Sequence, residues 1–134
     1  MAYRRAVLPK SKPEPFTLKS RFQSMGYALA GVADLLRHQH NARLHAVAAL
    51  LVLMLAFLCS VQRWEWAVLL LAIGGVWLAE AINTAIEYLA DACHPEQHPL
   101  IKRAKDVAAA AVLLFSLTAL LVGLLVFVPY LALL

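Results

Sequence analysis

The sequence predicts an all-α integral membrane protein in which an N-terminal amphipathic surface helix precedes three transmembrane helices. Three observations lead there. Of the 134 residues, 63% are hydrophobic and only 15% are charged, well above the apolar share of a soluble domain. Three apolar runs each approach the roughly 20 residues that a helix needs to cross a bilayer. The charges gather ahead of and between those runs, and residues 107–134 carry none. A soluble chain of this length would have too little polar surface to cover such a core, and there is room for one domain.

Residues 1–15 form a basic arm with Arg4, Arg5, Lys10 and Lys12, where Pro9, Pro13 and Pro15 oppose a helix. Two readings fit the arm: a solvated tail, or a segment drawn to an anionic leaflet. The membrane domain follows, from 16 to 134. Its surface helix is expected over about 16–40, where Phe22, Met25, Leu29, Val32, Leu35 and Leu36 recur at three- and four-residue steps. Such a helix suits the membrane interface, or a packed position against the other helices. The spans are expected at about 43–61, 64–92 and 105–131. Arg43 can snorkel from the first, Gln62-Arg63 makes a tight connection, and Trp64 and Trp66 suit the boundary with water. A polar loop is expected from Cys93 to Lys105. The basic arm and the loop residues Lys102, Arg103 and Lys105 place the N-terminus and that loop in the cytoplasm by the positive-inside rule.

Several functions find no support. No signal peptide is expected in the first 21 residues. Cys59 and Cys93 form no CxxC pair and read as small buried hydrophobes. His38, His40, His94 and His98 lack zinc-ligand spacing, and no Walker or protein-kinase motif is present. Gly74-Gly75 reads as a helix-packing contact rather than a phosphate loop.

The informative segment lies in the second span. Glu80, Asn83, Thr84, Glu87 and Asp91 fall within about 100° of one helix face. Three of the chain's eight acidic residues stand on this stripe. An Asp at the centre of a membrane helix costs roughly 2.5–3.5 kcal/mol on insertion scales, so the stripe must face protein, water, a cation or substrate. Asn83 and Thr84 alone would suit interhelical hydrogen bonding. Two glutamates two turns apart on that face repel each other unless a cation or a proton lies between them, which points to chemistry. Downstream, Lys102-Arg103-Ala104-Lys105-Asp106 offers donors for phosphate oxygens beside a further carboxylate. It also suits membrane anchoring, and an acid at the start of a helix is favourable in any case.

Glu80-Ala-Ile-Asn-Thr-Ala-Ile-Glu87 with Asp91, the loop Pro95-Glu96-Gln97-His98-Pro99-Leu100, and Lys102 to Asp106 together resemble the prokaryotic diacylglycerol/undecaprenol kinase family. Gly26-Tyr27, Gly31, Asn41, Arg43 and His45 fall at the family's spacing, and the likeness covers about residues 20–128. The resemblance implies a homotrimer in the bacterial inner (plasma) membrane that uses magnesium and ATP to phosphorylate a lipid hydroxyl. The acceptor would be diacylglycerol or undecaprenol, and no nucleic acid is involved. By that resemblance Glu80 matches the general base, Glu87 a magnesium ligand, and Asn83 and Lys105 the lipid site. Tyr27, Gln39, Glu87, Glu96, His98, Lys105 and Asp106 match nucleotide positions. One departure stands out: the family usually carries a glutamate, a second metal ligand, where this chain has Gln39. The alternatives are a degenerate scaffold of the same fold that lost turnover through Gln39, and a small proton or cation conductor. The conductor leaves Lys105-Asp106 and the loop motif unexplained.

The charge asymmetry yields a topology test. A reporter fused after Leu134 should lie outside the cytoplasm, and one inserted at Gln97 inside it. Finding both on one side would rule out three spans.

Overall fold

The computed structural model describes residues 17–93 and 98–132, so the basic arm 1–15 and the loop residues Pro95, Glu96 and Gln97 lie outside the described residues. Four helices follow one another: α1 (Leu18–His38), α2 (His40–Leu58), α3 (Arg63–Cys93) and α4 (Pro99–Leu131). There is no strand among the described residues. Helices α2, α3 and α4 are each long and apolar enough to cross a membrane.

Helix α1 begins at Thr17, whose side chain accepts the Ser20 N–H at 3.2 Å, an N-cap arrangement. It is separated from α2 by Gln39 alone, which is extended (φ −98, ψ 119). Of the apolar face of α1 only Leu35 is buried, while Phe22, Met25, Leu29, Val32 and Leu36 are exposed within the chain. The other helices likewise leave Leu50, Met54, Phe57, Leu71, Leu121 and Leu125 uncovered. In water such continuous apolar surface would aggregate; in a bilayer it meets lipid.

The α2–α3 turn closes on hydrogen bonds rather than on glycine. Ser60 takes a left-handed φ of 49. Its N–H donates to Phe57 O at 3.1 Å, and Val61 N–H donates to Ala56 O at 3.2 Å. This is the Schellman pattern, complete with its apolar contact, because Ala56 and Val61 are buried together with Leu69, Val126 and Phe127. Cys59 packs at the edge of that cluster. Cys93, by contrast, is exposed. The expectation that both cysteines are buried therefore fails for Cys93, which ends a helix that outruns its packing partners.

The same end of the bundle holds a buried acid that no sequence pattern singles out. Glu65 is 7% exposed. Its Oε2 accepts the Gln62 N–H at 2.7 Å and the Tyr130 hydroxyl at 2.6 Å. The first bond is the return half of a capping box. The second joins the start of α3 to the last turn of α4.

Helix α4 starts earlier than expected. Pro99 is preorganised for a first helical position, and His98 caps it by accepting the Leu100 N–H through Nδ1 at 3.2 Å. Lys102, Arg103, Ala104 and Lys105 are good helix formers. They make up the first turns of α4 rather than a loop, and Asp106 lies inside the helix rather than at its start. Helices α3 and α4, of 31 and 33 residues, are about 46 and 50 Å long at 1.5 Å per residue. Both exceed a hydrocarbon core of about 30 Å. The chain thus has a closed end at Ser60 and a site end, where Gln39, the last turns of α3 and the first turns of α4 meet.

Tyr130→Phe removes one of the two hydrogen bonds to buried Glu65. A bond to a charged group contributes about 1.5–3 kcal/mol, so the thermal midpoint in micelles should fall by several degrees. An unchanged midpoint would mean that Glu65 does not tie α4 to α3.

Candidate functional site

Helices α2 and α4 both pack on α3, and between them lies a cleft of about 270 Å³. Asn41, Leu44 and His45 line it from α2, Glu80 and Asn83 from α3, and Ala109, Val112, Leu113 and Ser116 from α4. The helical repeat explains why these residues converge. On α4, Lys105, Ala109, Val112 and Ser116 recur at steps of three and four and share a face about 60° wide. On α3 the acidic stripe faces inward, with Glu80, Asn83 and Thr84 all buried. Small residues allow the approach. Ala79 and Ala108 are buried, and a Cβ on Gly75 would come within 2.6 Å of the Phe115 ring. Gly75 is therefore the packing contact expected, whereas nothing lies within 4 Å of a Cβ on Gly74.

The stripe changes character along its length. Glu80 is 2% exposed, and its Oε2 has no hydrogen-bond partner among the described residues. Asn83 donates through Nδ2 to Glu87 Oε1 at 3.2 Å, which leaves Asn83 Oδ1 unpartnered. The hydroxyls of Thr84 and Ser116 are also buried without partners. Glu87 is half-buried and Asp91 exposed. Such orphans are rare in a folded chain, since each costs about 1–3 kcal/mol. Three of the four belong to residues that line the cleft.

At the rim the charges pair. Lys105 donates to Asp91 Oδ1 at 3.0 Å, bridging α4 to the end of the stripe. Lys102 donates to Asp106 Oδ2 at 2.6 Å, along α4 itself. Lys105 and Asp106 therefore do not act as a pair with each other: successive helix positions point about 100° apart. Gln39 lies at the α1–α2 elbow and approaches the Tyr88 hydroxyl, which brings it near the Glu87 turn of α3. Tyr27 is exposed on α1, and His98 is occupied as the α4 cap. Neither lines the cleft. Glu96 lies outside the described residues.

Ser116 and His45 are cleft residues that received no site role from the sequence. A lone serine in an apolar helix carries no charge signal, though its spacing from Lys105 and Ala109 could have placed it. His45 had been noted only for its spacing. No group of three His, Cys, Asp or Glu side chains capable of holding a metal occurs among the described residues.

With this geometry in place, residues 26–127 match the profile of a family described as Prokaryotic diacylglycerol kinase. The chain is 40% identical over 119 residues to an undecaprenol kinase of Bacillus subtilis (strain 168), covering 89% of this chain and 97% of the relative. It is 37% identical over 128 residues to a diacylglycerol kinase of Synechocystis, covering 87% and 73% respectively. A diacylglycerol kinase of Pseudomonas aeruginosa is 34% identical over 103 residues, covering 74% of this chain and 84% of that one.

Ser116→Ala should leave the thermal midpoint of the ligand-free protein unchanged or slightly raised, because it deletes a buried hydroxyl without a partner. A drop of several degrees would show that the hydroxyl is engaged in the folded protein.

Proposed function

The chain belongs to the prokaryotic diacylglycerol kinase family, and we propose that it transfers the γ-phosphoryl group of ATP to the hydroxyl of a membrane lipid at the cytoplasmic face of the inner membrane. Of the two candidate acceptors we propose undecaprenol ahead of diacylglycerol, because the undecaprenol kinase relative aligns over 97% of its own length. The observation that carries the proposal is Glu80, a buried carboxylate with an unpartnered oxygen on a cleft walled by Leu44, Val112 and Leu113.

Glu80 Oε2 takes the proton of the lipid hydroxyl as that oxygen forms its bond to the γ-phosphorus. The bond from the γ-phosphorus to the β–γ bridging oxygen breaks, and ADP leaves with the electron pair. Asn83, which spends one Nδ2–H on Glu87, donates its other N–H to the lipid hydroxyl oxygen and orients it. The Lys105 ammonium, at the rim on the same α4 face, balances phosphate charge. Phosphoryl transfer asks mainly for such positioning and charge neutralisation. Tyr27, Gln39, Glu87, Glu96, His98, Lys105 and Asp106 are the proposed nucleotide contacts.

The residues fit magnesium as a shared ion. Magnesium keeps several waters and takes one or two carboxylates plus substrate phosphates. The half-buried Glu87, with the Gln39 amide on the adjoining elbow, suits that better than a closed protein cage. When bound, the ion would neutralise phosphate charge. The proposed assembly is a homotrimer, in keeping with Tyr27 and His98 standing apart from the cleft of their own chain. The scaffold alternative rests on Gln39 alone, and an amide oxygen weakens a magnesium site without abolishing it.

Purified protein in micelles, given ATP with undecaprenol or diacylglycerol side by side, should phosphorylate lipid, and Glu80→Gln should abolish transfer while insertion and assembly persist. Near-normal transfer by Glu80→Gln would remove Glu80 from the mechanism. Gln39→Glu should lower the magnesium concentration for half-maximal activity. That gain should vanish in a Glu87→Gln background, because two ligands of one ion do not act additively. Superimposable wild-type and Gln39→Glu titrations would overturn the metal role of Gln39.

A further inference from the structure

We infer that the hydrogen bond from Tyr88 to Asp34 is a latch holding surface helix α1 against the nucleotide side of the site, which makes Asp34 and Tyr88 positioning residues. The inference rests on the lipid kinase reading for its consequence and on geometry for its existence. The Tyr88 hydroxyl donates to Asp34 Oδ2 at 2.9 Å, joining α1 to α3 across 54 positions of sequence. The other Asp34 oxygen, Oδ1, lies 2.9 Å from His38 Nδ1, one turn further along α1. Gln39 approaches the same hydroxyl. Tyr88 directly follows Glu87, so the bond fixes α1 beside the half-buried end of the acidic stripe.

Packing alone does not hold α1. It runs for 21 residues with Leu35 as its one buried residue among those described. Helices in proteins draw most of their stability from a packed face, and this one is joined to α2 through a single non-helical residue. An elbow that short is a pivot, and a bond five residues from it sets the angle.

The latch also sets the rotation of α1. At 100° per residue, Tyr27, Asp34 and His38 fall within about 40° of one another, and Tyr27 stands about 10 Å from Asp34 along the axis. Seating Asp34 on Tyr88 therefore turns the face that bears Tyr27 toward the site end of α3. None of Asp34, His38 and Tyr88 lines the cleft. Releasing the latch should thus loosen the nucleotide side and spare the lipid side.

The test uses the full chain in micelles with Tyr88→Phe, Asp34→Ala, Asp34→Asn and the Tyr88→Phe/Asp34→Ala double variant. Three quantities are measured: amide exchange over residues 18–38, equilibrium binding of a non-hydrolysable magnesium–ATP analogue, and KM for Mg-ATP and for undecaprenol. Loss of one hydrogen bond to a charged group should speed exchange in α1 and weaken the analogue and Mg-ATP about tenfold, with lipid KM held within about twofold. The double variant should be no worse than either single one. Asp34→Asn, which keeps an oxygen to accept the Tyr88 hydroxyl, should recover most of the loss relative to Asp34→Ala. Unchanged exchange in Tyr88→Phe, or equal rises in both KM values, would overturn the latch. If Tyr88→Phe fails to assemble, the comparison of Asp34→Asn with Asp34→Ala decides by the same readouts. A wild type that phosphorylates no lipid would sink the kinase reading, and exchange and analogue binding would still decide the latch.

Discussion

A carboxylate carried through hydrocarbon must be covered, and the rest of this fold answers to that constraint. An Asp at the centre of a membrane helix costs roughly 2.5–3.5 kcal/mol on insertion scales, and α3 carries Glu80 buried, at 2% exposure. The cover comes mainly from α4, whose packing against α3 is the most extensive in the chain. It can come close because Ala79, Gly75 and Ala108 present little bulk at the contact. That cover is mostly apolar, with Ala109, Val112 and Leu113 beside the lone hydroxyl of Ser116. Glu80, Asn83, Thr84 and Ser116 keep buried polar atoms without partners among the described residues. A stripe built only to join helices would have satisfied itself, as buried polar groups do in more than nine cases in ten.

The two buried carboxylates among the described residues are handled in opposite ways. Glu65, at the closed end, accepts from Gln62 and Tyr130 and sits beside the cluster of Ala56, Val61, Leu69, Val126 and Phe127. Its hydrogen bonds are made within the chain, and its work is to tie α3 to α4. Glu80, on the cleft, keeps one oxygen that no group among the described residues engages. Residue type is the same in both places; the difference lies in whether donors were placed nearby. Rigidity at one end holds the helices in register while the other end stays open to a ligand, a division of labour expected where a site must be preorganised.

The sequence made legible what periodicity and charge encode. Glu80, Asn83, Thr84, Glu87 and Asp91 were assigned to one face because a helix repeats every 3.6 residues, and the burial of Glu80, Asn83 and Thr84 follows that face. The three apolar helices were visible because hydrocarbon demands long uncharged runs. What periodicity does not encode was missed. Lys102 to Lys105 were assigned to a loop because hydropathy marks where a helix enters the membrane, not where it begins; the cap at His98 marks that. Lys105 and Asp106 are adjacent in sequence, yet their actual partners are Asp91, 14 residues away, and Lys102, one turn back. Glu65 received no reading at all, because its partner Tyr130 lies 65 residues away in the chain.

The cleft also has a direction. Helices α2 and α4 each pack on α3 without a comparably close approach to each other at the site end, so the space beside Glu80 opens sideways between them rather than along the bundle axis. Leu44 on one wall and Val112 and Leu113 on the other are apolar, and the neighbouring outer surface, with Val47, Leu51 and Leu114, is exposed and apolar as well. A water-soluble acceptor would have to leave water and cross that surface to reach Glu80. A lipid alcohol already stands in the bilayer with its hydroxyl at the depth of the headgroups, and needs only to move laterally, leaving its chain in hydrocarbon. The charged rim of Asp91, Lys105, Lys102 and Asp106 lies at the other edge of the site, where α3 and α4 extend past the hydrocarbon. A nucleotide, with its charged phosphates, can approach only from there. The proposed substrates are thus sorted by polarity before any specific contact is made, and they meet at the boundary where the stripe passes from buried Asn83 to half-buried Glu87.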